Sequence, residues 1–122
     1  MVEPQEGRFD FALVDSMLTG ARKNNLHLVL LWFATWKNGY STYTPGWVKH
    51  NYEKYPHARD SSGNPVEMLS TFGEATAAAD AKAFKALMAH IKAADAAYQT
   101  AVSYTHLDVY KRQTWTLARE CE

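Results

Sequence analysis

Between Leu28 and Phe33 the chain reads Leu-Val-Leu-Leu-Trp-Phe, with no polar residue to break the run. A strand with one wet face alternates apolar and polar side chains, whereas a run apolar at every position needs cover on both faces. That condition predicts a parallel strand over residues 26–33, with helices against its sheet. In parallel sheets and barrels, ligands gather at the carboxyl ends of the strands. Here that end is followed by Trp36, Lys37, Asn38, Gly39 and Tyr40, and then by Pro45-Gly-Trp47. An indole face, an ammonium and a carboxamide suit a sugar: a flat apolar surface for its C–H faces and fixed partners for its hydroxyls. The same residues also fit a buried strand followed by an ordinary aromatic-rich loop.

The flanks fill in the unit. Asp10 is placed to cap a helix predicted over residues 11–24, on which Phe11, Val14, Met17, Leu18 and Ala21 form one apolar stripe. Arg22 and Lys23 suit its last turn, and Asn24-Asn25 can stop it. Residues 36–74 read as one long ordered loop, because Gly39, Pro45, Gly46, Pro56, Ser61-Ser-Gly-Asn-Pro65 and Gly73 interrupt any long element. In a barrel enzyme such a loop at a strand's carboxyl end is a common carrier of substrate-binding residues. A second helix is predicted over residues 77–98, with Phe84, Leu87, Met88, Ile91 and Tyr98 on one face and many alanines raising helix propensity.

Composition excludes several partners. Lysine plus arginine and aspartate plus glutamate balance at 13 each. No basic face therefore argues for nucleic acid, and no acidic tract for a disordered tail. The longest apolar run falls far short of the roughly 20 residues that span a membrane. No basic stretch followed by an apolar core opens the chain, so no signal peptide is read at its start.

Three segments occur in order: Glu3-Pro-Gln-Glu-Gly-Arg-Phe-Asp-Phe11, Leu28-Val-Leu-Leu-Trp-Phe-Ala-Thr-Trp-Lys-Asn-Gly39 and Tyr43-Thr-Pro-Gly-Trp-Val48. Together they resemble the amino-terminal part of the barrel domain in bacterial β-galactosidase-like glycoside hydrolases, the family thirty-five and forty-two enzymes of the large retaining clan. The likeness covers residues 1–101, and Tyr55-Pro56 and Asp60-Ser-Ser-Gly63 match the outline of the family's loop. It implies an α/β fold, a fragment of a (β/α)8 TIM barrel ordered as helix, strand, long loop and helix. It implies a parent that hydrolyses O-glycosyl bonds, a β-galactosidase acting on terminal β-galactosides without a cofactor or metal. Its partner would be a galactoside or oligosaccharide substrate, with sugar contacts on the loop of Trp36, Lys37 and Asn38. Trp47 is carried as a further substrate-side candidate, although packing of the loop onto the barrel rim suits it better. The family's acid/base glutamate would follow a few residues beyond Ala101, in an Asn-Glu pair ending the fourth strand, and its nucleophile would end the seventh. On this reading the chain holds part of a binding rim and no catalytic residue. The family's preceding strand makes Met1 an internal methionine of the second βα unit, and the parent's location, secreted or periplasmic, is left open.

The end of the chain is best read as DNA. With permitted codons, Val102-Ser-Tyr-Thr-His-Leu-Asp-Val-Tyr-Lys-Arg-Gln113 and the last two bases of Ala101 can be written as a string that is its own reverse complement. That string resembles two transposon mosaic ends joined head to head, as library adaptors leave them. Such scars are set aside in fold reasoning. The expected organisation is a partial hydrolase domain over 1–101, an adaptor-derived segment over 102–113 and an unrelated tail over 114–122. The lone cysteine, Cys121, goes with the tail, as do His106 and Asp108. The tail also takes Lys111, Arg112 and Arg119 together with Asp108, Glu120 and Glu122, so the charge balance survives its removal.

The remaining candidates carry less. His50, Glu53 and His57 lack the spacing of a zinc helix, and Pro56 interrupts them. His27 and His90 suit packing or solvent better than catalysis. Glu3 and Glu6 invite comparison with an acid/base pair, but they sit in a Pro-containing turn and the family's pair lies elsewhere. Two rival readings stand beside the hydrolase fragment: a small non-catalytic carbohydrate-binding module using Trp36 and Trp47 as platforms, and an artefactual reading frame.

Overall fold

The computed structural model describes residues 1–33 and 42–101. Its elements are α1 (Ala12–Lys23), α2 (Gly46–Lys49), β1 (His57–Arg59), β2 (Pro65–Leu69) and α3 (Glu74–Asp95). The chain divides into two compact units. Met1–Phe11 and Trp32–His90 make the first; Ala12–Leu31 and, among the described residues, 91–101 make the second.

The first unit opens on a tight turn in which Arg8 N–H donates to the Gln5 carbonyl (2.9 Å). Gly7 holds a φ of 76° in that turn, a conformation open to glycine and strained for most other residues. The described part of the expected loop, residues 42–74, holds more regular structure than a loop. Pro45 caps the single turn of α2 at φ −61°, the value its ring imposes. β1 and β2 then pair antiparallel, with His57 opposite Leu69 and Arg59 opposite Pro65.

Side-chain chemistry closes this hairpin. Asp60 Oδ1 accepts the N–H groups of Ser62 (2.9 Å) and Asn64 (2.8 Å), and Asp60 N–H returns to the Asn64 carbonyl (2.9 Å). Gly63 takes φ 82°, and Arg59 Nη1 donates to its carbonyl (2.7 Å). The Asn64 N–H is the main reason that the Asp60 carboxyl lies below its ordinary value, since it stabilises the charged form. Val48, Tyr55 and Leu69 form the buried cluster beneath, with Trp47, Ala75 and Ala79 packed against it.

α3 starts and stops three residues earlier than the sequence suggests. Glu74 lies in its first turn, where a carboxylate complements the helix dipole. The Gly73 carbonyl takes the Ala77 N–H (3.0 Å). A side chain at Gly73 would meet Thr76 Oγ1 at 2.9 Å. Thr76, Ala83, Leu87, Ile91 and Asp95 are buried at helical spacing, whereas Phe84 and Met88 are half-buried and Tyr98 is exposed beyond the helix end.

In the second unit α1 buries Val14, Leu18 and Ala21, while Met17, counted in the expected stripe, is exposed. The helix ends in a Schellman motif. Leu26 N–H bonds the Ala21 carbonyl (2.9 Å) and Asn25 N–H the Arg22 carbonyl (3.1 Å), with Asn25 at φ 54°. Two asparagines were expected to stop this helix, and the second does so by taking the left-handed conformation.

The apolar run that follows does not form the doubly covered strand expected of it. Leu28 makes one parallel bridge to Ala101, its N–H donating to the Thr100 carbonyl (2.8 Å). Burial alternates instead: Leu28 and Leu30 are half-buried, while Val29 and Leu31 are exposed. Cover on both faces takes neighbouring strands and helices, and among the described residues the bridge reaches a single neighbour.

One polar cluster ties the ends of this unit together. Asp95, buried, accepts Arg22 Nη2 at Oδ1 (2.7 Å) and the Ala101 N–H at Oδ2 (2.7 Å). Arg22 also donates to the Ala94 carbonyl (2.9 Å) and Thr100 Oγ1 (3.1 Å). Its guanidinium lies 4.1 Å from the centre of the Tyr98 ring. Burial pushes the Asp95 carboxyl up, but the Ala101 N–H, Arg22 and Thr100 together hold it below its ordinary value.

Candidate functional site

Trp36, Lys37 and Asn38 lie outside the described residues, so the site is built here from its frame. Phe33 before the loop and Tyr43 after it bring their rings to 5.6 Å at a tilt of 41°. Thr44, buried, follows with its N–H donated to Thr42 Oγ1 (3.1 Å). Pro45 then starts α2, which carries Trp47.

Trp47 is the one candidate substrate residue that is described. Its indole N–H donates to the Glu3 carbonyl (3.0 Å), and its ring meets Tyr55 edge-on at 5.8 Å and 76°. The polar end of the side chain is therefore engaged by the backbone, and its body lies half-buried beside the Val48–Tyr55–Leu69 cluster. This is the geometry of an anchor holding α2 to the opening turn. A sugar approaching Trp47 would find ring surface and no donor.

Glu3 and Glu6 have separate employment. Glu3 is buried, and its Oε1 accepts the Gly7 N–H (2.6 Å), with Lys82 Nζ 4.0 Å away. It acts as the cap of the turn that places Trp47's acceptor. Glu6 is exposed and pairs with Lys54 (2.7 Å), whose hydrogen bond holds the carboxyl below its usual range.

His57 shows why a histidine set in this loop need not mean a metal. Its Nδ1 lies 2.6 Å from the Val66 carbonyl and its Nε2 3.1 Å from the Lys49 carbonyl. Both nitrogens sit against backbone carbonyls, which places the ring between the hairpin and α2 and leaves neither nitrogen facing open space for a metal ion. Tyr52 stacks on it at 4.2 Å. Lys49 also pairs with Glu67, whose pKa it lowers. Among the described residues no group of three or more His, Cys, Asp or Glu side chains stands together to hold a metal ion. His90 stacks on Phe11 at 4.3 Å, and His27 is exposed.

The sequence reading passed over Asp80. This α3 carboxyl is held above its ordinary value chiefly by burial. The Trp32 indole N–H lies close enough to oppose that shift, yet it is buried and makes no hydrogen bond of normal geometry. The Trp32 ring meets Phe84 at 5.6 Å, so Trp32 faces α3. The available signal was parity: Trp32 shares its side of the run with Leu28 and Leu30, whereas Phe33 falls on the exposed side with Val29 and Leu31.

No family model matches the chain, and no curated protein matches it. Among the described residues no helix is long and apolar enough to cross a membrane.

Proposed function

We propose that residues 1–101 are an amino-terminal piece of the barrel domain of a retaining β-galactosidase-like glycoside hydrolase. In this reading Trp36, Lys37 and Asn38 belong to the substrate rim, with Trp47 seating it. The parent hydrolyses terminal β-galactosides, and this chain binds no cofactor and performs no chemistry. The observation that carries the reading is the ordered set of three motifs, Glu3 to Phe11, Leu28 to Gly39 and Tyr43 to Val48. The parallel bridge between Leu28 and Ala101 supports it. An extended run, a crossover containing α3 and a return parallel to the run are the parts of a βαβ unit. The half-buried and exposed alternation along residues 28–33 also suits a barrel strand, where one side meets helices and the other needs seven more strands to be covered.

The test is the genomic sequence on both sides of codon 101. The reading expects an uninterrupted frame that reaches an Asn-Glu pair within a few codons of Ala101, with no inverted repeat at the junction. A genomic frame that instead runs through Val102 to Glu122 with unrelated codons overturns it. A short complete gene with its own start signals and those same residues would favour the carbohydrate-binding module.

A further inference from the structure

His57 stands between two backbone carbonyls that belong to different elements. Its Nδ1 lies 2.6 Å from the Val66 carbonyl, within the hairpin, and its Nε2 lies 3.1 Å from the Lys49 carbonyl, on α2. A carbonyl oxygen can only accept. A neutral imidazole has one N–H and one lone pair, whereas the imidazolium has two N–H groups. Both contacts are therefore hydrogen bonds in the protonated ring alone. In the neutral ring one nitrogen turns a lone pair toward a carbonyl oxygen, and that contact is repulsive.

Geometry decides which contact fails. β1 and β2 pair with His57 opposite Leu69 and Arg59 opposite Pro65, so Val66 cannot withdraw from Nδ1 without opening the hairpin. α2 is a single turn, Gly46–Lys49, and can draw back as a piece. The groups around the ring balance one another. Lys49, from α2, opposes a second positive charge, while Glu67, from β2, favours it, and the two form an ion pair. Lys49 is the main cause of the lowered Glu67 pKa, and the charge of His57 adds to it, so a carboxylate stands within reach of the imidazolium. Tyr52, from the segment between, lies over the ring at 4.2 Å and 16°, and an aromatic face accepts a cation. His50, exposed, is the next residue after Lys49.

We propose that His57 is a proton-operated clamp between the β1–β2 hairpin and α2: protonated, it donates to Val66 and Lys49 at once; neutral, it keeps its proton on Nδ1 and releases Lys49. Acid then closes the clamp on the turn that carries Trp47, over the range of roughly pH 5 to 8 in which histidine side chains change charge. An imidazole free in water favours the opposite tautomer, with the proton on Nε2. The Nδ1–H form is therefore a mark of this site and not of titration in general.

The experiment follows the full 122-residue chain, labelled with 13C and 15N, by NMR across that pH range. The ring nitrogens of His57 are identified by their absence from the His57→Arg variant. At the acid end both nitrogens should carry protons. As pH rises, Nε2 alone should take the shift of an unprotonated nitrogen, and the Lys49 carbonyl carbon should move with it while that of Val66 holds still. His57→Arg keeps its donors at every pH in the range, so its Lys49 carbonyl should not respond. His50→Gln should leave the response intact, which separates His57 from the neighbouring histidine. Loss of the proton from Nδ1 instead of Nε2 overturns the proposal, as does a shift at the Val66 carbonyl with none at Lys49, or no shift at either. A Lys49 response that survives in His57→Arg, or vanishes in His50→Gln, overturns it as well.

Discussion

At the residue scale the chain's most informative side chain is Asp95, which the sequence reading left unremarked among the alanines of α3. It answers Arg22 with one oxygen and the Ala101 N–H with the other, so its removal leaves a buried N–H and a guanidinium short of partners. Unmade hydrogen bonds of this kind cost about 1–3 kcal/mol. Asp95→Ala should therefore lower the unfolding free energy measured by urea titration by that amount, with Asp95→Asn in between because the amide keeps an acceptor. The pH dependence has a definite sign. The folded-state pKa is depressed, so the stability that Asp95 contributes is fully present above the unfolded value near 3.8 and is lost as pH falls below it through the lowered value. The wild-type and Asp95→Asn denaturation midpoints should converge on acidification through that window. A constant gap between them down to the lowest accessible pH would show that the carboxylate's charge does not stabilise this cluster.

At the element scale the second asparagine after α1 sets a clear test. Asn25 occupies φ 54° at the residue following the helix cap, where glycine is the commonest choice and asparagine the next. Asn25→Gly should hold or raise stability, while Asn25→Val should cost about 1–2 kcal/mol, because a β-branched side chain clashes in the left-handed region. Equal thermal midpoints for the two variants would mean that the motif does not fix the helix end.

This helix was legible because its apolar spacing, terminal charges and stop residues agree. α3 was legible as an element but not at its ends. Its start turns on Gly73 and Thr76 packing closely, and its stop on the Asp95 carbonyl taking the N–H groups of Tyr98 (3.0 Å) and Gln99 (2.9 Å). The β1–β2 hairpin escaped because His57–Arg59 is only three residues long and β2 begins with proline. Its signal lay in the turn: Asp60, Gly63 and Asn64 supply the acceptor, the positive φ and the return hydrogen bonds that such a loop requires. The apolar run was readable as extended backbone. Its second cover was not, since a strand is completed by neighbours that its own sequence does not contain. The substrate-side candidates divide in the same way. Trp36 and Asn38 lie outside the described residues, whereas the use of the Trp47 N–H depends on a carbonyl contributed by Glu3, which spacing does not reveal.

At the scale of the whole molecule the question is whether a chain proposed to come from a hydrolase can itself turn over substrate. A retaining glycosidase works with two carboxyl groups about 5–5.5 Å apart across the scissile bond, one to protonate the leaving oxygen and one to attack. Glu3 is buried with its Oε1 given to the Gly7 N–H. Glu6 is exposed and paired with Lys54, which lowers its pKa and so weakens it as a proton donor near neutral pH. Asp80 is the carboxyl whose pKa is raised, as an acid's should be, but its neighbour is the Trp32 indole. General acid assistance alone contributes roughly 100- to 10,000-fold in rate, and covalent catalysis needs a nucleophile that can reach the anomeric carbon. If the chain holds a binding rim and no catalytic pair, as proposed, it should release no chromophore from aryl β-galactosides above the rate of buffer, at any pH from the carboxylate range to neutrality. The assay that decides this follows activity through successive purification steps in parallel with Glu3→Gln, Glu6→Gln and Asp80→Asn variants. Turnover that copurifies with the wild-type chain and falls in one of those variants would place a working carboxylate in this chain and overturn the prediction.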